Sequence, residues 1–311
     1  MDGVHEHRPV LLREALDGLA IKQDGVYVDA TFGRGGHSKA MLDRLGETGR
    51  LLAIDQDPQA IEVAAQRFGD DPRFEIVYAN FESIADVISE RGLMHKVDGV
   101  LLDIGVSSPQ LDDASRGFSF LRPGPLDMRM NPEEGQSAAD WLAKVEENDL
   151  VMVLKRYGEE RFARRIARAI LLARSEAPIT DTVQLANLIS SAVPKKEKHK
   201  HPATRSFQAI RIYINRELDV LERALEAATA SLAKGGRLVV ISFHSLEDRI
   251  VKRFMRDMAR GPQLPKDLPI MQSDIAVPYR LVGKAIKPGE EEIKLNPRSR
   301  SSVLRVMECL Q

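Results

Sequence analysis

The chain has a single cysteine, Cys309, among 311 residues. No intramolecular disulfide can form, and no cysteine-based zinc cluster is available. Long apolar runs are lacking as well. The stretch from Val97 to Val106 is interrupted by Asp98 and Asp103, so nothing reaches the ~18 residues of a membrane span. Residues 1–16 mix acids and bases and carry no apolar signal-peptide core. These features predict a cytoplasmic protein with no membrane partner. Neither charge is in excess: 45 Lys+Arg face 46 Asp+Glu, for a net charge of −1. Affinity for nucleic acid would therefore come from local patches rather than from the overall field. Internal repeats and low-complexity tracts are absent too.

Against these absences stands an ordinary globular composition, 43% hydrophobic and 29% charged. The length allows one large domain or two smaller ones, and a core of this size needs no staple. In the first third, apolar runs alternate with amphipathic stretches. The pattern predicts strands at 25–30, 50–55, 74–78 and 97–103, with helices at 38–45, 58–68 and 84–90. Near-continuous apolar strands in a β-α-β rhythm indicate a parallel sheet covered on both faces. The rhythm stops at Ser107. Residues 107–202 contain a Pro/Gly-rich loop, 117–135, then helical patterns at 159–174 and 180–193. It resumes with a long helix predicted over 203–233, a strand at 237–243, a helix at 245–260 and a strand at 303–307. The economical reading is a doubly wound α/β sheet, residues 1–106 and 203–311, with a helical insertion, 107–202, between the fourth and fifth strands.

Chemistry concentrates after the first strand, in Asp29-Ala-Thr-Phe-Gly33-Arg-Gly35-Gly36-His37-Ser38. A Gly-rich turn between strand and helix lets a ligand approach the backbone and the helix N-terminus. A tight turn that simply needs positive φ explains the same glycines. Asp55 ends the second strand, twenty residues beyond Gly35. An acid there can accept hydrogen bonds from both ribose hydroxyls of an adenosine. Asp57 reads as the cap of the Pro58 helix. Asp103 and Phe81 follow strands four and three, at the sheet edge where open α/β folds bind ligands. A nicotinamide site prefers Gly-x-Gly-x-x-Gly, whose last position here is Ser38. The Gly-Lys-Ser/Thr of a P-loop is missing.

Seven stretches carry a closer resemblance. They are Thr31–Ser38, Asp103–Asp112, Arg116–Phe120, Gly124–Met130, His201–Arg205, Ser242–Arg249 and Asn296–Ser302. In order and across essentially the whole chain, they resemble the bacterial 16S ribosomal RNA cytosine-N4 methyltransferase family, known as RsmH or MraW. The resemblance implies a class I S-adenosylmethionine (SAM)-dependent, Rossmann-like methyltransferase fold. It implies transfer of a methyl group to the exocyclic N4 of a cytosine in the decoding centre, on the assembled small ribosomal subunit. By motif it implies cofactor contacts from Gly35, Gly36, His37, Asp55, Phe81, Asp103 and Gln110.

For the chemistry, Asp103 or a backbone carbonyl nearby is the candidate acceptor for the target amine, with cofactor binding alone as the other reading of Asp103. Phe118 and Phe120 are candidates for stacking on an extruded base, or else pack the insertion. Lys195, Lys196, Lys198 and Lys200, between Pro194 and Pro202, suggest a basic loop for the RNA backbone, or a solvated one. Arg161, Arg164, Arg165 and Arg168 share a helix face that suits phosphate contact, but Glu160–Arg164 pairing favours reading it as a salt-bridged surface. His5 with His7, and His199 with His201, lack the companions of a metal site, so no metal is expected, and no DNA. His244 reads as structural or substrate-facing. Two further readings are an NAD-dependent oxidoreductase and an RNA-binding assembly factor with a relic pocket.

Overall fold

A computed structural model of the chain describes residues 9–194, 201–261 and 277–311. The chain forms two compact units, one of Met1–Gly105 with Leu218–Gln311 and one of Val106–Glu217.

The first unit is built on a seven-stranded sheet. Its strands are β1 (Val26–Asp29), β2 (Arg50–Asp55), β3 (Phe74–Tyr78), β4 (Val97–Asp103), β5 (Leu232–Ser242), β6 (Tyr279–Leu281) and β7 (Val303–Cys309). The order is β3-β2-β1-β4-β5-β7-β6. Pairing is parallel from β3 across to β5, and β7 runs antiparallel to β5 and β6. Strand residues alternate between two cores. Val28, Leu52, Ile54, Val100, Leu102, Leu238 and Val240 enter one. Tyr27, Leu51, Ala53, Leu101, Val239 and Ile241 enter the other. Side chains alternate faces along a strand, so a sheet buried on both faces needs apolar residues at consecutive positions. Each fully buried Leu or Ile contributes roughly 1.5–3 kcal/mol.

Helices α1 (Leu12–Leu19), α2 (Gly36–Leu42), α3 (Pro58–Phe68) and α4 (Ile84–Glu90) belong to this unit. Asp57 caps α3 by accepting from Gln59 N–H at 3.1 Å, as its place before Pro58 predicts. Helix α1 was not predicted, because neither end carries a cap signal: Leu11 and Ala20 are both left-handed residues.

The second unit is helical: α5 (Ser108–Asp112), α6 (Ala138–Lys144), α7 (Glu147–Gly158), α8 (Ala163–Glu176), α9 (Thr182–Ala192) and α10 (Thr204–Ile214). It has its own core, including Trp141, Leu154, Ile166, Ile170, Leu185 and Phe207. Here one expectation is corrected. The single helix predicted over 203–233 is two, α10 and α11 (Glu217–Ser231). The Asn215 amide closes α10: its oxygen accepts from Met130 N–H at 2.7 Å, and its nitrogen donates to the Met128 carbonyl at 2.8 Å. Arg216 follows with φ 50°, which no α-helix accommodates. Helix α10 thus belongs to the helical unit, and the boundary falls after Glu217 rather than after Pro202. Helix α12 (Ser245–Arg260) and a short α13 (Glu290–Leu295) complete the first unit.

Candidate active site

The carboxyl ends of β1, β2 and β4 carry the acids of the first unit. Asp55 closes β2. Its Oδ2 accepts from Gly33 N–H at 2.7 Å and its Oδ1 from Asp57 N–H at 2.9 Å. Burial pushes this carboxyl up to about 6, against the pull of the two amide donors. The free protein therefore holds a reluctant carboxylate, and hydroxyl donors from a ligand would favour its charged form.

The glycines divide by function. Gly35, φ +73°, precedes α2, and a Cβ there would come within 2.7 Å of the Phe32 and Phe68 rings. Its identity is fixed by backbone conformation and packing against protein. A Cβ on Gly36 would meet Pro9 Cγ at 2.4 Å. Among the described residues, Gly33, φ +57°, has only the Thr31 carbonyl near it, at 3.9 Å. The open side of the turn is thus at Gly33, which is absent from the expected cofactor set.

Below the turn lies a polar cluster. Asp29 is buried and accepts from Ser38 Oγ at 2.6 Å and from Thr31 N–H at 3.2 Å. Its pKa is raised, burial outweighing these donors. His37 is 5% exposed. Its Nε2 lies 3.5 Å from Asp103 Oδ2, but neither ring nitrogen has a hydrogen-bond partner among the described residues. Burial pulls against a charged imidazolium, but Asp103, with Asp29 and Glu292 adding to it, outweighs that pull and raises the pKa above 6.5. Asp103 Oδ1 is likewise buried and without a donor among the described residues. A buried polar atom left unmet costs about 1–3 kcal/mol. Three such atoms in one cluster fit bound polar groups: the methionine end of SAM beside the two His37 nitrogens, and an N–H donor at Asp103 Oδ1.

Phe81 begins a 3₁₀ turn after β3 and packs against the core of its unit. The neighbouring Asn80 was missed from sequence. Its amide donates to Gln56 Oε1 at 2.8 Å, tying the end of β3 to the residue after Asp55. Gln110 belongs to the helical unit. It is buried, and its Oε1 accepts from Ser107 N–H at 3.0 Å in the capping box of α5.

Two expectations change in the helical unit. Phe118 is 6% exposed and lies in the core of the helical unit, with the Arg116 guanidinium 5.9 Å from its ring centroid. Stacking a base on it would require opening that core, so it is corrected to a packing residue. Phe120 is half-buried and rests between His201, centroids 4.6 Å apart, and Phe207, at 4.8 Å. The Glu160–Arg164 pair is replaced: Glu160 is buried before α8 begins and accepts from Phe162 N–H, while Arg168 pairs with Glu147 at 3.2 Å. Lys195, Lys196, Lys198 and Lys200 lie outside the described residues, as do His5, His7 and His199. His244 caps α12, with its Nδ1 accepting from Glu247 N–H. Among the described residues, no helix is long and apolar enough to cross a membrane.

Comparison with known proteins shows the family. Ribosomal RNA small subunit methyltransferase H of Alteromonas mediterranea is 61% identical over 307 residues, covering 98% of each chain. The protein of that name from Pseudoalteromonas atlantica is 61% identical over 306 residues, again 98% of each. Among solved structures, an rRNA methylase of Streptococcus thermophilus aligns over 98% of this chain and 99% of its own, with a TM-score of 0.44 and 12% identity. The model of the MraW methylase family matches residues 4–310. The chain belongs to the MraW methylase family and is a SAM-dependent methyltransferase.

Proposed function

We propose that the protein methylates the exocyclic N4 of a cytosine in the decoding centre of 16S ribosomal RNA, on the assembled small subunit in the cytoplasm. Support comes from family membership, from the names of the two relatives and from the motifs that resemble the cytosine-N4 enzymes. The observation that carries the chemistry is Asp103 Oδ1, a buried acceptor with no donor among the described residues.

SAM supplies an electrophilic sulfonium methyl, and such a transfer needs no metal. Asp55 holds the adenosine ribose, with Phe81 beside the adenine. Gly35, Gly36 and His37 contribute the turn over the methionine end, and Gln110 completes the cofactor set. The amine of cytosine is a poor nucleophile because its lone pair is delocalised into the ring. Asp103 accepts an N–H hydrogen bond from that amine, which localises the lone pair and offsets positive charge as the methyl group passes from sulfur to nitrogen, with S-adenosylhomocysteine as the leaving group. The proton lost from nitrogen then passes to the same carboxylate. Alignment supplies most of the remaining acceleration.

The helical unit, Val106–Glu217, is the substrate-recognition part in this reading. Phe120 is the remaining stacking candidate. RNA phosphates meet Lys195, Lys196, Lys198 and Lys200, together with the exposed Arg161, Arg164 and Arg165. No DNA partner enters this reading.

The test is incubation with radiolabelled SAM and small subunits from a strain lacking the gene, followed by digestion and identification of the labelled nucleoside. N4-methylcytidine is the expected product. Label in another nucleoside would break the base assignment. Cofactor binding without label on subunits, free RNA or protein would favour an assembly factor.

A further inference from the structure

Asp103 stands where β4 leaves the sheet. Pairing of β1 with β4 runs to Asp29 opposite Leu101, and Ala30 N–H still donates to the Leu101 carbonyl at 3.0 Å. In a regular parallel ladder the next link joins Asp103 N–H to the Ala30 carbonyl. Here it does not. Asp103 N–H donates instead to Thr31 Oγ1, at 2.7 Å. A side-chain oxygen has taken over from the backbone acceptor as the chain departs into the glycine turn.

Thr31 is itself tied down. Its N–H donates to Asp29 Oδ1 at 3.2 Å, and the other oxygen of Asp29 accepts from Ser38 Oγ at 2.6 Å. Ser38 follows His37, whose Nε2 lies 3.5 Å from Asp103 Oδ2. The contacts close a ring: Asp103, Thr31, Asp29, Ser38, His37 and back to Asp103. Four of its five members come from β1, the turn and α2. The fifth comes from β4, and Thr31 is the member that holds its backbone.

We propose that Thr31 is a positioning residue: its hydroxyl oxygen anchors Asp103 N–H and so aims the Asp103 carboxylate at the reacting amine. This rests on the role assigned to Asp103 above. Without the anchor, the end of β4 keeps its pairing with β5 at Asp103 opposite Ile241, but it loses the hydrogen bond to the turn that fixes the direction in which the carboxylate leaves the backbone. An acceptor misplaced by about 1 Å loses on the order of a hundredfold in rate. Among the standard residues, only Ser and Thr place a hydroxyl on Cβ, so the requirement is chemical as well as steric.

The experiment is a double-mutant cycle on the full-length protein, using Thr31→Val, Thr31→Ser, Asp103→Ala and Thr31→Val/Asp103→Ala. Single-turnover methylation of small subunits is read beside the equilibrium Kd for S-adenosylhomocysteine and the melting temperature. Thr31→Val keeps shape and removes the acceptor. It should slow turnover roughly tenfold to a hundredfold while Kd moves less than about threefold, well under the one decade that 1.4 kcal/mol represents. Thr31→Ser should restore most of the rate. The double variant should be no slower than Asp103→Ala, because a residue acting through another has nothing left to lose. Thr31→Ala removes the same acceptor and replaces Thr31→Val if that variant does not fold. Losses that multiply in the double variant, or a Thr31→Val enzyme at full rate, overturn the positioning role and leave Asp103 standing. An Asp103→Ala enzyme at full rate overturns both.

Discussion

Cofactor affinity should depend on pH through Asp55. Its folded pKa is about 6 against an ordinary 3.8, because burial disfavours the carboxylate. The sign follows from proton counting. Between these two values the folded protein binds more protons than the unfolded chain, so this group's contribution makes the ligand-free protein less stable as pH rises from 3.8 towards 6. A ribose diol donates two hydrogen bonds and requires the charged form. At pH 7 that form already dominates. At pH 5 roughly a tenth of the carboxyl is ionised, so Kd for adenosine or S-adenosylhomocysteine should rise about tenfold, or 1.4 kcal/mol. Calorimetric titration from pH 5 to 8 in two buffers of different ionisation enthalpy measures both Kd and the proton released on binding near pH 6. Asp55→Asn should bind more weakly at every pH, because hydrogen bonds to a charged group are worth about 1.5–3 kcal/mol, and it should lose the slope. A flat Kd across this range, or an unchanged slope in Asp55→Asn, would refute the reasoning. Adenosine alone serves as the control for His37, which adjoins the cluster assigned to the methionine end.

Other expectations concern stability and packing. Gly35→Ala should cost roughly 2–4 kcal/mol in denaturant unfolding, since left-handed strain adds to overlap with Phe32 and Phe68. Gly92→Ala, φ +64° with nothing within 4 Å, should cost only about 1 kcal/mol. Ser38→Ala removes the buried donor to Asp29 and should lose about 1–3 kcal/mol; an unchanged midpoint would mean that the pair is not made in solution. Phe118→Ala should destabilise by about 3–5 kcal/mol, and a fully stable variant would reopen its candidacy for base stacking. Reversing the charges at Lys195, Lys196, Lys198 and Lys200 should flatten the salt dependence of subunit binding.

Much of the sheet was readable from local signals. Strands at 50–55, 74–78 and 97–103 and the helix at 58–68 have the expected bounds, because apolar runs, Asp57 and Pro58 act within a few residues. What could not be read depends on distant partners. The break after Ile214 contains no Gly or Pro. It is made by Asn215 reaching Met128 and Met130, some 85 residues away. Strand β6 has three residues and exists through pairing with β7. The site divides in the same way. Asp55 and Asp103 were visible as acids at strand ends. The approach of His37 to Asp103, and of Thr31 to Asp103 N–H, comes from β1 and β4 being neighbours in the sheet. Phe118 and Phe120 look alike in sequence, and only the core they join separates them.

The chain passes between its two units at Gly105/Val106 and Glu217/Leu218. A residue at positive φ stands at or beside each passage, Gly105 at 112° and Arg216 at 50°. Each unit has its own core, so amide exchange should report two opening free energies rather than one. Adenosine, held by groups of the first unit, should slow exchange at the ends of β1 and β2 and leave α7 and α8 at their unliganded rates. A single melting temperature would then be an average over two cooperative bodies, and ligand-induced shifts in it would understate how firmly the nucleoside is held.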